Sequence, residues 1–427
     1  MKTSLLLATL TLMPALAEDW PKFLGINGNT TSPETGLIKS FPKSGPEILW
    51  SAKLESGFGG AAIVGDEVYL VDRIEKEKDM LLCLDFATGK EKWRFESPSE
   101  GEPSFPGSRS VPTVEDDAAY FLGTFGEIFR INRKTGKPDW KAKLGDRYPD
   151  AKPPHWGYAQ CTLIMGDVLI VMPFGEETGI AGWDKKTGKE LWKSKGIGNT
   201  HSSPTVMNFG GQEQVVLLTT GDNGGLHSYD PKTGKELWHS DLYANRIPIT
   251  IPTQIDENRI FATGGYGGGS KMLSIKKSGD HYEIGELWSS KKGSQVHPPL
   301  LIDKHLYLLA NENDNHKTST RRRKGGLVCF DLDGKELWST GEAPFMGRGG
   351  SLFADGMLII QDGENGVLRL VEPSSKGYKE LASANLFGSD LTSKKDLQFW
   401  SPLALSDGRL ILRGQDKMFC VRMTRSE

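Results

Sequence analysis

The sequence has 427 residues, of which 25% are charged and 37% hydrophobic, and its formal net charge is −3. This near-neutral balance argues against a general nucleic-acid-binding protein, which is expected to be strongly basic. The length allows two or three domains or one large all-β domain. The 51 glycines are typical of a chain with many tight turns.

The first residues have the pattern of an export signal. A lysine is followed by an apolar run at 5–13 and by the small-residue cleavage site "ALA" at 15–17. We therefore predict a signal peptide at 1–17, a mature chain that starts at Glu18, and a periplasmic or secreted protein; an uncleaved anchor is the alternative. No cysteine follows the cleavage site, which argues against a lipoprotein, and no later apolar run reaches the ~18 residues of a transmembrane helix.

A phrase similar to "DPKTGKELWHS" recurs along the chain with a period of roughly 45 residues, which is typical of a propeller blade. One more period after the last tryptophan reaches Leu381, which we predict takes the place of the tryptophan. A large aromatic residue in each outer strand is expected to pack against the neighbouring blade, as a structural element and not as a binding site. The repeated tryptophans are Trp50, Trp93, Trp140, Trp192, Trp238, Trp288 and Trp338.

Each period is predicted to contain four short strands. In the copy with the clearest pattern, "DPKTG" joins the third and fourth runs. Asp230 is expected to accept hydrogen bonds from backbone amides of this turn, and Gly234 is expected to be left-handed. The four runs lie at 202–208, 213–220, 224–230 and 235–240.

The chain contains eight third-strand segments, whereas the segment "GPEILWS" at 45–51 is an outer strand with no blade before it. We therefore predict an all-β protein in which 18–44 is a lead-in and 45–427 is a single eight-bladed β-propeller with four-stranded antiparallel blades. Segment 45–51 is predicted to pair beside 416–422, so that the N-terminal strand completes the last blade and closes the ring. The third strands are predicted at 80–85, 127–132, 179–184, 225–230, 271–276, 326–331, 366–371 and 417–422.

The four cysteines are Cys83, Cys161, Cys329 and Cys420, and none has a CxxC, CxxCH or adjacent spacing. An exported protein can form disulfides. However, three of these cysteines occupy equivalent third-strand positions of different blades, and facing sheets lie ~10 Å apart, beyond the ~7 Å Cα limit for a bridge. We predict free, buried thiols.

The unit "DNGGLHSYDPKTGKELW" resembles the PQQ-type (pyrroloquinoline quinone) β-propeller repeat. The segments at 19–25 and 32–50 are similar to the lead-in of secreted bacterial PQQ-like repeat proteins, including BamB-like ones. The resemblance implies the propeller fold. It leaves the function open, because the family includes quinoprotein dehydrogenases, which bind PQQ and calcium, and non-catalytic propellers such as BamB of the outer-membrane β-barrel assembly machinery.

Loops that enter the innermost strands are expected to surround the mouth of the central channel. Arginine, histidine and aromatic residues recur in these loops, where they could bind a partner or an anionic or planar ligand. The alternative is that they only satisfy backbone groups around a wet channel. Besides Phe58, the predicted mouth residues are Arg109, Trp156, Tyr158, His201, Arg246, Gln295, His297, Arg348 and Trp400.

A dehydrogenase of the quinoprotein type is expected to need more than these loops offer. The chain has no adjacent cysteines, and the nearest carboxylates, Glu342 and Asp390, have no evident partners. A calcium ion takes 6–8 oxygen ligands, which we cannot assemble from the mouth loops. We therefore predict no catalytic residue, no metal site and no cofactor, and keep PQQ with calcium as the alternative.

The predicted function is that of a non-catalytic exported scaffold, a monomer that binds a protein or an envelope polysaccharide through its mouth loops. The alternative is a PQQ-dependent oxidoreductase or a small-ligand-binding protein that uses the central funnel. Two other segments are expected to be loops. "GGYGGGS" at 264–270 is expected to be a hairpin between two strands. "NENDNHKTSTRRRKGG" at 311–326 carries a basic run that is either solvated or bound to an acidic partner or an anionic glycan.

Overall fold

The computed structural model describes residues 18–311, 325–341, 343–344, 346–388 and 398–425. The predicted signal peptide lies outside the described residues, as do Glu342, Asp390 and the basic run within the 311–326 loop. No helix in the described part of the chain has the length and apolar character needed to cross a membrane.

The described residues form 33 strands in eight antiparallel sheets, together with one short helix, α1 (Leu144–Arg147). The prediction of an eight-bladed β-propeller is therefore confirmed. The first strand, β1 (Ile48–Lys53), belongs to the last blade, and the other strands follow in chain order. Blades 1 and 2 consist of β2 (Ala62–Val64), β3 (Glu67–Ile74), β4 (Lys76–Asp85), β5 (Glu91–Gly101), β6 (Thr113–Glu115), β7 (Ala118–Leu122), β8 (Glu127–Asn132) and β9 (Pro138–Lys143).

Blades 3 to 5 have the same four-stranded order. They consist of β10 (Leu163–Met165), β11 (Val168–Val171), β12 (Ile180–Asp184), β13 (Glu190–Ser194), β14 (Thr205–Phe209), β15 (Gln212–Thr219), β16 (Gly225–Tyr229), β17 (Glu236–Ser240), β18 (Thr253–Asp256), β19 (Arg259–Gly264), β20 (Gly269–Ser278) and β21 (His281–Ser290).

Blade 6 has a fifth, very short strand, because both β22 and β23 pair with β24. Blades 6 to 8 consist of β22 (Gly293–Ser294), β23 (Leu300–Ile302), β24 (His305–Asn311), β25 (Gly325–Asp331), β26 (Glu336–Ser339), β27 (Ser351–Ala354), β28 (Met357–Gln361), β29 (Val367–Val371), β30 (Glu380–Asn385), β31 (Ala404–Ser406), β32 (Arg409–Arg413) and β33 (Lys417–Arg422), with β1 as the outer strand of blade 8.

The ring is closed by β1, as predicted. This strand pairs antiparallel with β33, so that Trp50 lies opposite Cys420 and Lys53 lies opposite Lys417. The first and last strands of the propeller therefore lie in one sheet. Because β1 covers β33, the last strand of the chain is not left as an unpaired edge.

The repeated turn has the predicted geometry. In blade 4, the Asp230 carboxylate accepts hydrogen bonds from the backbone amides of Lys232 and Thr233, each at 2.9 Å. Gly234 closes the turn with a φ of +70°. Glycine is favoured there because a left-handed backbone is strained in residues that have a Cβ.

Most of the repeated tryptophans bond to the blade that follows their own. Six of the seven donate a hydrogen bond from Nε1 to a backbone carbonyl in the outer turn of the following blade. Trp238 instead donates to Gln214 Oε1 at 2.8 Å, since the outer hairpin of blade 5 has a different turn, at 278–281. The six bonds are Trp50 to Phe86, Trp93 to Arg133, Trp140 to Lys185, Trp192 to Pro231, Trp288 to Leu332 and Trp338 to Ser374.

The prediction that Leu381 takes the tryptophan's place in blade 7 is wrong. Leu370 lies opposite Ala382 and Val371 lies opposite Glu380, so Leu381 falls in the bulge between them. Ala382 therefore occupies the tryptophan position. In the other blades, a turn joins the third strand to the outer strand, and the tryptophan of the preceding blade contacts it. Blade 8 has no such turn, because its outer strand is β1 and does not follow β33 in the sequence. A tryptophan at position 382 would therefore have no turn to contact.

All four cysteines are free and buried, as predicted. Three of them share one environment, because each lies opposite a repeated tryptophan in the neighbouring strand of its sheet. These pairs are Cys83 with Trp93, Cys329 with Trp338 and Cys420 with Trp50.

The lead-in crosses one end of the central channel. Trp20 pairs with Ile63 through two backbone hydrogen bonds, and the Pro21 carbonyl accepts a bond from the Val114 amide. Ile63 and Val114 lie in the innermost strands, close to the turns that lead to the second strands. These turns are at the end of the channel opposite to the predicted mouth. The lead-in also bonds to the last two blades through Phe353 N to Thr30 O, Gly408 N to Glu34 Oε2 and Ile38 N to Met423 O.

Candidate functional site

The loops that enter the innermost strands surround one cavity of about 150 Å³, which we call the mouth cavity. Each loop precedes the first strand of its blade, so the ring symmetry turns these side chains toward the same axis. The structure brings Phe58 and six of the nine predicted mouth residues to this cavity. The six are Arg109, Trp156, His201, Gln295, His297 and Trp400.

The other three predicted mouth residues lie elsewhere. Tyr158 is buried behind the mouth, where its ring stacks on Phe174 and its hydroxyl donates to a backbone carbonyl. Arg246 is exposed. Arg348 is buried, pairs with Glu364, and holds its guanidinium carbon 4.7 Å from the centre of the Trp400 ring. Arg348 therefore supports Trp400 and does not line the cavity.

Three aromatic residues of the cavity wall were not among the predicted site residues. Phe105 belongs to the connection between blades 1 and 2, Tyr266 to the glycine-rich hairpin of blade 5, and Phe23 to the lead-in. Hairpins between second and third strands lie on the same face as the mouth loops. The single tyrosine in "GGYGGGS" could therefore have been predicted from the sequence as a mouth residue. Phe23 had no such signal, because the lead-in is not part of the repeat.

The aromatic rings of the mouth form a continuous chain. The Trp400 ring stacks on Phe58 at 5.3 Å and on Phe105 at 6.1 Å between centroids. Phe105 in turn contacts Trp156, at 6.4 Å. Trp156 also stacks on His201 at 4.7 Å and contacts Tyr266 at 6.3 Å. These contacts connect rings from blades 1, 3, 4, 5 and 8 across the axis.

The glycines of the blade 5 hairpin allow Tyr266 to reach this position. A Cβ on Gly264 would overlap the side-chain amide of Asn245, and a Cβ on Gly265 would lie 2.6 Å from Gln295 Cγ. Tyr266 itself has a φ of +56°, and its hydroxyl accepts a hydrogen bond from Gln295 Nε2. Close packing therefore holds this hairpin against the loop that enters blade 6.

Two buried polar atoms of the cavity wall have no hydrogen-bond partner among the described residues. They are Trp400 Nε1, which can only donate, and His201 Nδ1. By contrast, His297 Nε2 is satisfied, because it donates to the Trp400 carbonyl at 2.8 Å. An unpaired buried polar group destabilises a protein by about 1–3 kcal/mol, so these two atoms mark a place where a water molecule or a ligand is expected.

The cavity is electropositive at neutral pH. Burial lowers the pKa of His201 to about 3, with a further contribution from the nearby charge of Arg109, and burial lowers the pKa of His297 to about 4. Both imidazoles are therefore neutral. Burial also lowers the pKa of Arg109, to about 10, so its guanidinium remains charged. None of the lining residues within the described chain is a carboxylate.

The described residues of the cavity do not fit a calcium ion or PQQ. Calcium prefers several oxygen ligands, usually with carboxylates among them, whereas this wall offers imidazoles, indoles and a guanidinium. No group of three or more His, Cys, Asp or Glu residues in the described chain is arranged to hold a metal. A cavity of about 150 Å³ is also smaller than the roughly 300–1,000 Å³ of most cofactor sites.

Solved structures with a similar fold include both scaffolds and enzymes. BamB from Moraxella catarrhalis matches with a TM-score of 0.60 and 15% identity, covering 89% of this chain and 98% of that chain. The quinohemoprotein alcohol dehydrogenase ADHIIG from Pseudomonas putida HK5 matches with a TM-score of 0.62 and 12% identity, covering 96% and 81%. A europium-containing methanol dehydrogenase matches with a TM-score of 0.65 and 12% identity, covering 92% and 89%. At these identities the likeness shows the fold alone.

Among curated proteins, none matches this sequence. The family model described as outer membrane protein assembly factor BamB matches residues 30–155 and 108–325, which together make up more than half of the chain. The predicted resemblance to PQQ-like, BamB-like propellers is thereby confirmed, and the chain belongs to the family of the outer membrane protein assembly factor BamB.

Proposed function

We propose that the mature chain is an exported, non-catalytic scaffold that binds a protein partner through the face around the mouth cavity. The observation that carries this proposal is the cluster of half-buried rings, Phe105, Trp156 and Tyr266, with the exposed Arg246 on the same face. Aromatic residues and arginine are enriched at the centres of protein interfaces and supply most of their binding energy.

The rigidity of this face supports the same function. Tyr266 and Arg348 both adopt left-handed backbone conformations, with φ of +56° and +64°. Such conformations in residues other than glycine persist only where the surrounding structure holds them, and they are frequent at functional sites. Side chains that are already fixed lose little conformational entropy on binding, which favours affinity.

Membership of the BamB family and the export pattern at 1–17 support a partner in the cell envelope. The description of the family names outer membrane protein assembly, which favours a protein over a polysaccharide as the partner. Cleavage before Glu18 leaves the lead-in contacts of Trp20 intact. Mass determination of the N-terminus of the exported protein tests this step, and a retained segment 1–17 would contradict it.

The partner is tested by affinity capture from an envelope extract. Trp156→Ala, Tyr266→Ala and Arg246→Ala are expected to lose the captured protein, since each removes a large side chain from the mouth face. Leu287→Ala is the control, because Leu287 is also exposed but lies on the outer strand β21 of blade 5. Equal capture by all variants would contradict the mouth face as the binding surface. Captured material that survives protease and contains sugar would instead identify a polysaccharide.

PQQ-dependent oxidation, the alternative, finds no support in the described residues, because no carboxylate lines the mouth cavity. The test is thermal unfolding with PQQ and calcium. A ligand at 100 times its Kd stabilises the folded state by ~2.7 kcal/mol, which is easily measured. We expect no shift; a shift together with dye reduction in the presence of an alcohol would overturn the scaffold proposal.

A further inference from the structure

The mouth cavity has a floor formed by the chain's own lead-in. Phe23 lines the mouth cavity and also a second cavity of about 60 Å³ on the opposite side, which we call the floor cavity. Cys161 and Ser203 line both cavities as well. The floor cavity is otherwise lined by the lead-in and by residues that precede or form the innermost strands of blades 3 to 5. Phe23 therefore lies between the two cavities, and it limits the depth of the mouth cavity on that side.

The volume of the mouth cavity fits a ligand with one aromatic ring. Its volume is about 150 Å³, and its wall is mostly apolar. A dry apolar cavity of about this size accommodates one benzene molecule. Stacked and tilted aromatic rings form much of the wall, and they favour a flat aromatic guest.

The polar groups of the wall favour a negative charge on that ring. The Arg109 guanidinium donates to the Gly107 and Phe105 carbonyls, which leaves part of its five N–H groups for a ligand. Trp400 Nε1 is a buried donor without a partner. No carboxylate lines the mouth cavity within the described residues. Glu75 is close enough to raise the pKa of Arg109, but it lies outside the wall and pairs with Arg73 at 3.0 Å. A guest that brings its own carboxylate would therefore give both Arg109 and Trp400 Nε1 an acceptor.

We propose that the mouth cavity binds one monocyclic aromatic carboxylate, a molecule of the benzoate class. The ring occupies the apolar part of the cavity, the carboxylate accepts hydrogen bonds from Arg109 and Trp400 Nε1, and Phe23 excludes ligands with a second fused ring. This site goes beyond the proposed partner surface and does not depend on a partner, so it is tested on the purified protein alone.

The first arm of the test measures charge recognition by ligand-observed fluorine NMR. The probes are 4-fluorobenzoate and 4-fluorobenzyl alcohol, which share the ring and differ in charge. Because charge-assisted hydrogen bonds are roughly twice as strong as neutral ones, we expect the benzoate to bind at least about ten-fold more tightly. Equal binding of the two probes, or no binding at millimolar concentrations, would overturn the proposal.

The second arm assigns the residues. Arg109→Gln is expected to abolish most of the preference for the benzoate, and Trp400→Phe, which keeps a ring but removes the donor, is expected to weaken benzoate binding several-fold. Leu287→Ala is the surface control and is expected to bind as the wild type does. Unchanged benzoate binding in both Arg109→Gln and Trp400→Phe, with each shown to be folded by thermal unfolding, would place the ligand elsewhere and contradict the site.

The third arm tests the floor. Phe23→Ala removes the side chain between the two cavities, so this variant is expected to keep benzoate binding and to gain binding of 6-fluoro-2-naphthoate, which the wild type excludes. Naphthoate binding by the wild type, or no gain in Phe23→Ala, would contradict the role of Phe23. Failure of all three arms would leave the capture of a protein partner unaffected, so the two proposals fail separately.

Discussion

Six of the seven repeated tryptophans combine a packing contact with a hydrogen bond across a blade boundary. Trp192 is buried, and its Nε1 donates to the Pro231 carbonyl at 2.9 Å. Its ring lies directly against Gly234 of the same turn, so closely that a Cβ on this glycine would overlap the ring. The tryptophan of one blade and the glycine of the next therefore form a matched pair.

This pairing predicts a large effect of Gly234→Ala. The alanine would adopt a left-handed backbone, at about 1–2 kcal/mol, and would also displace the Trp192 ring, at about 1–3 kcal/mol more. The control is Gly166→Ala, since Gly166 has a similar φ of +61° but no atom within 4 Å of its would-be Cβ. Urea unfolding should show that Gly234→Ala lowers the free energy of unfolding more than Gly166→Ala, and equal losses would contradict the contact.

A second prediction at this scale concerns pH and His297. Burial lowers its pKa from 6.5 to about 4, so between these values the unfolded state binds more protons than the folded state. Stability is then fully present above about pH 6.5 and is lost as the pH falls toward 4. At pH 5 the loss from this residue is about 2 kcal/mol.

Urea unfolding at pH 7 and pH 5 checks this effect. His297→Gln, whose amide can still donate to the Trp400 carbonyl, is expected to lose less stability than the wild type over this interval. His201, whose pKa is also lowered by burial, contributes in the same direction and leaves a residual pH dependence. An identical loss in the wild type and in His297→Gln would show that His297 is not the titrating group.

The junction between blades 8 and 1 is held by a buried ion pair as well as by β1. Arg413 of β32 pairs with Asp72 of β3 at 2.8 Å, and both side chains are about 1% exposed. Arg413 also donates to the Gly59 and Val71 carbonyls, at 2.9 and 3.0 Å. One guanidinium therefore ties the innermost part of blade 1 to the last blade.

Arg413→Met is expected to destabilise the propeller by about 3–5 kcal/mol, because it leaves the Asp72 carboxylate buried without its partner. Adding Asp72→Asn to this variant should restore part of the loss, since the amide carries no charge. The exposed ion pair of Lys152 with Glu176 provides the control: Lys152→Ala should unfold as the wild type does. A small loss in Arg413→Met would mean that β1 closes the ring without this pair.

The blades could be predicted from the sequence because the same turn pattern recurs in several copies of the repeat. Asp230, Gly234 and the tryptophan after them are sufficient to place two strands and their contact with the next blade. Leu381 was misplaced because its spacing from the last tryptophan fitted the period, whereas the bulge in β30 puts Ala382 at that position. Spacing alone does not reveal a bulge.

The mouth could be predicted only in part, for a different reason. Residues that enter the first strand of each blade, such as Trp156 and His201, follow the ring symmetry and converge. Phe23 and Tyr266 come from segments that the repeat does not describe, a lead-in and a hairpin of one blade, and their place depends on tertiary packing. Tyr158 shows the opposite error, since it is close in sequence to Trp156 but packs into the core.

At the scale of the whole molecule, the propeller is a ring with one end closed by a segment from outside the ring. The closing residues 18–28 contribute Trp20 and Phe23 to the interior, and Trp20 is only 3% exposed. None of them belongs to a strand of the eight sheets, because β1 begins at Ile48. Closure of the ring and closure of the channel are therefore separate.

Deletion of residues 18–28 should open the channel without unfolding the blades. The Ile63 and Val114 amides would lose their bonds to the Trp20 and Pro21 carbonyls, both at 2.8 Å in the intact chain, and would face water. Hydrogen exchange should therefore accelerate at these two amides. The Phe353 amide is the internal control, because its partner, the Thr30 carbonyl, is retained. Unchanged protection of the first two amides would mean that the lead-in does not seal this end, whereas loss of protection throughout the sheets would mean that the ring depends on it.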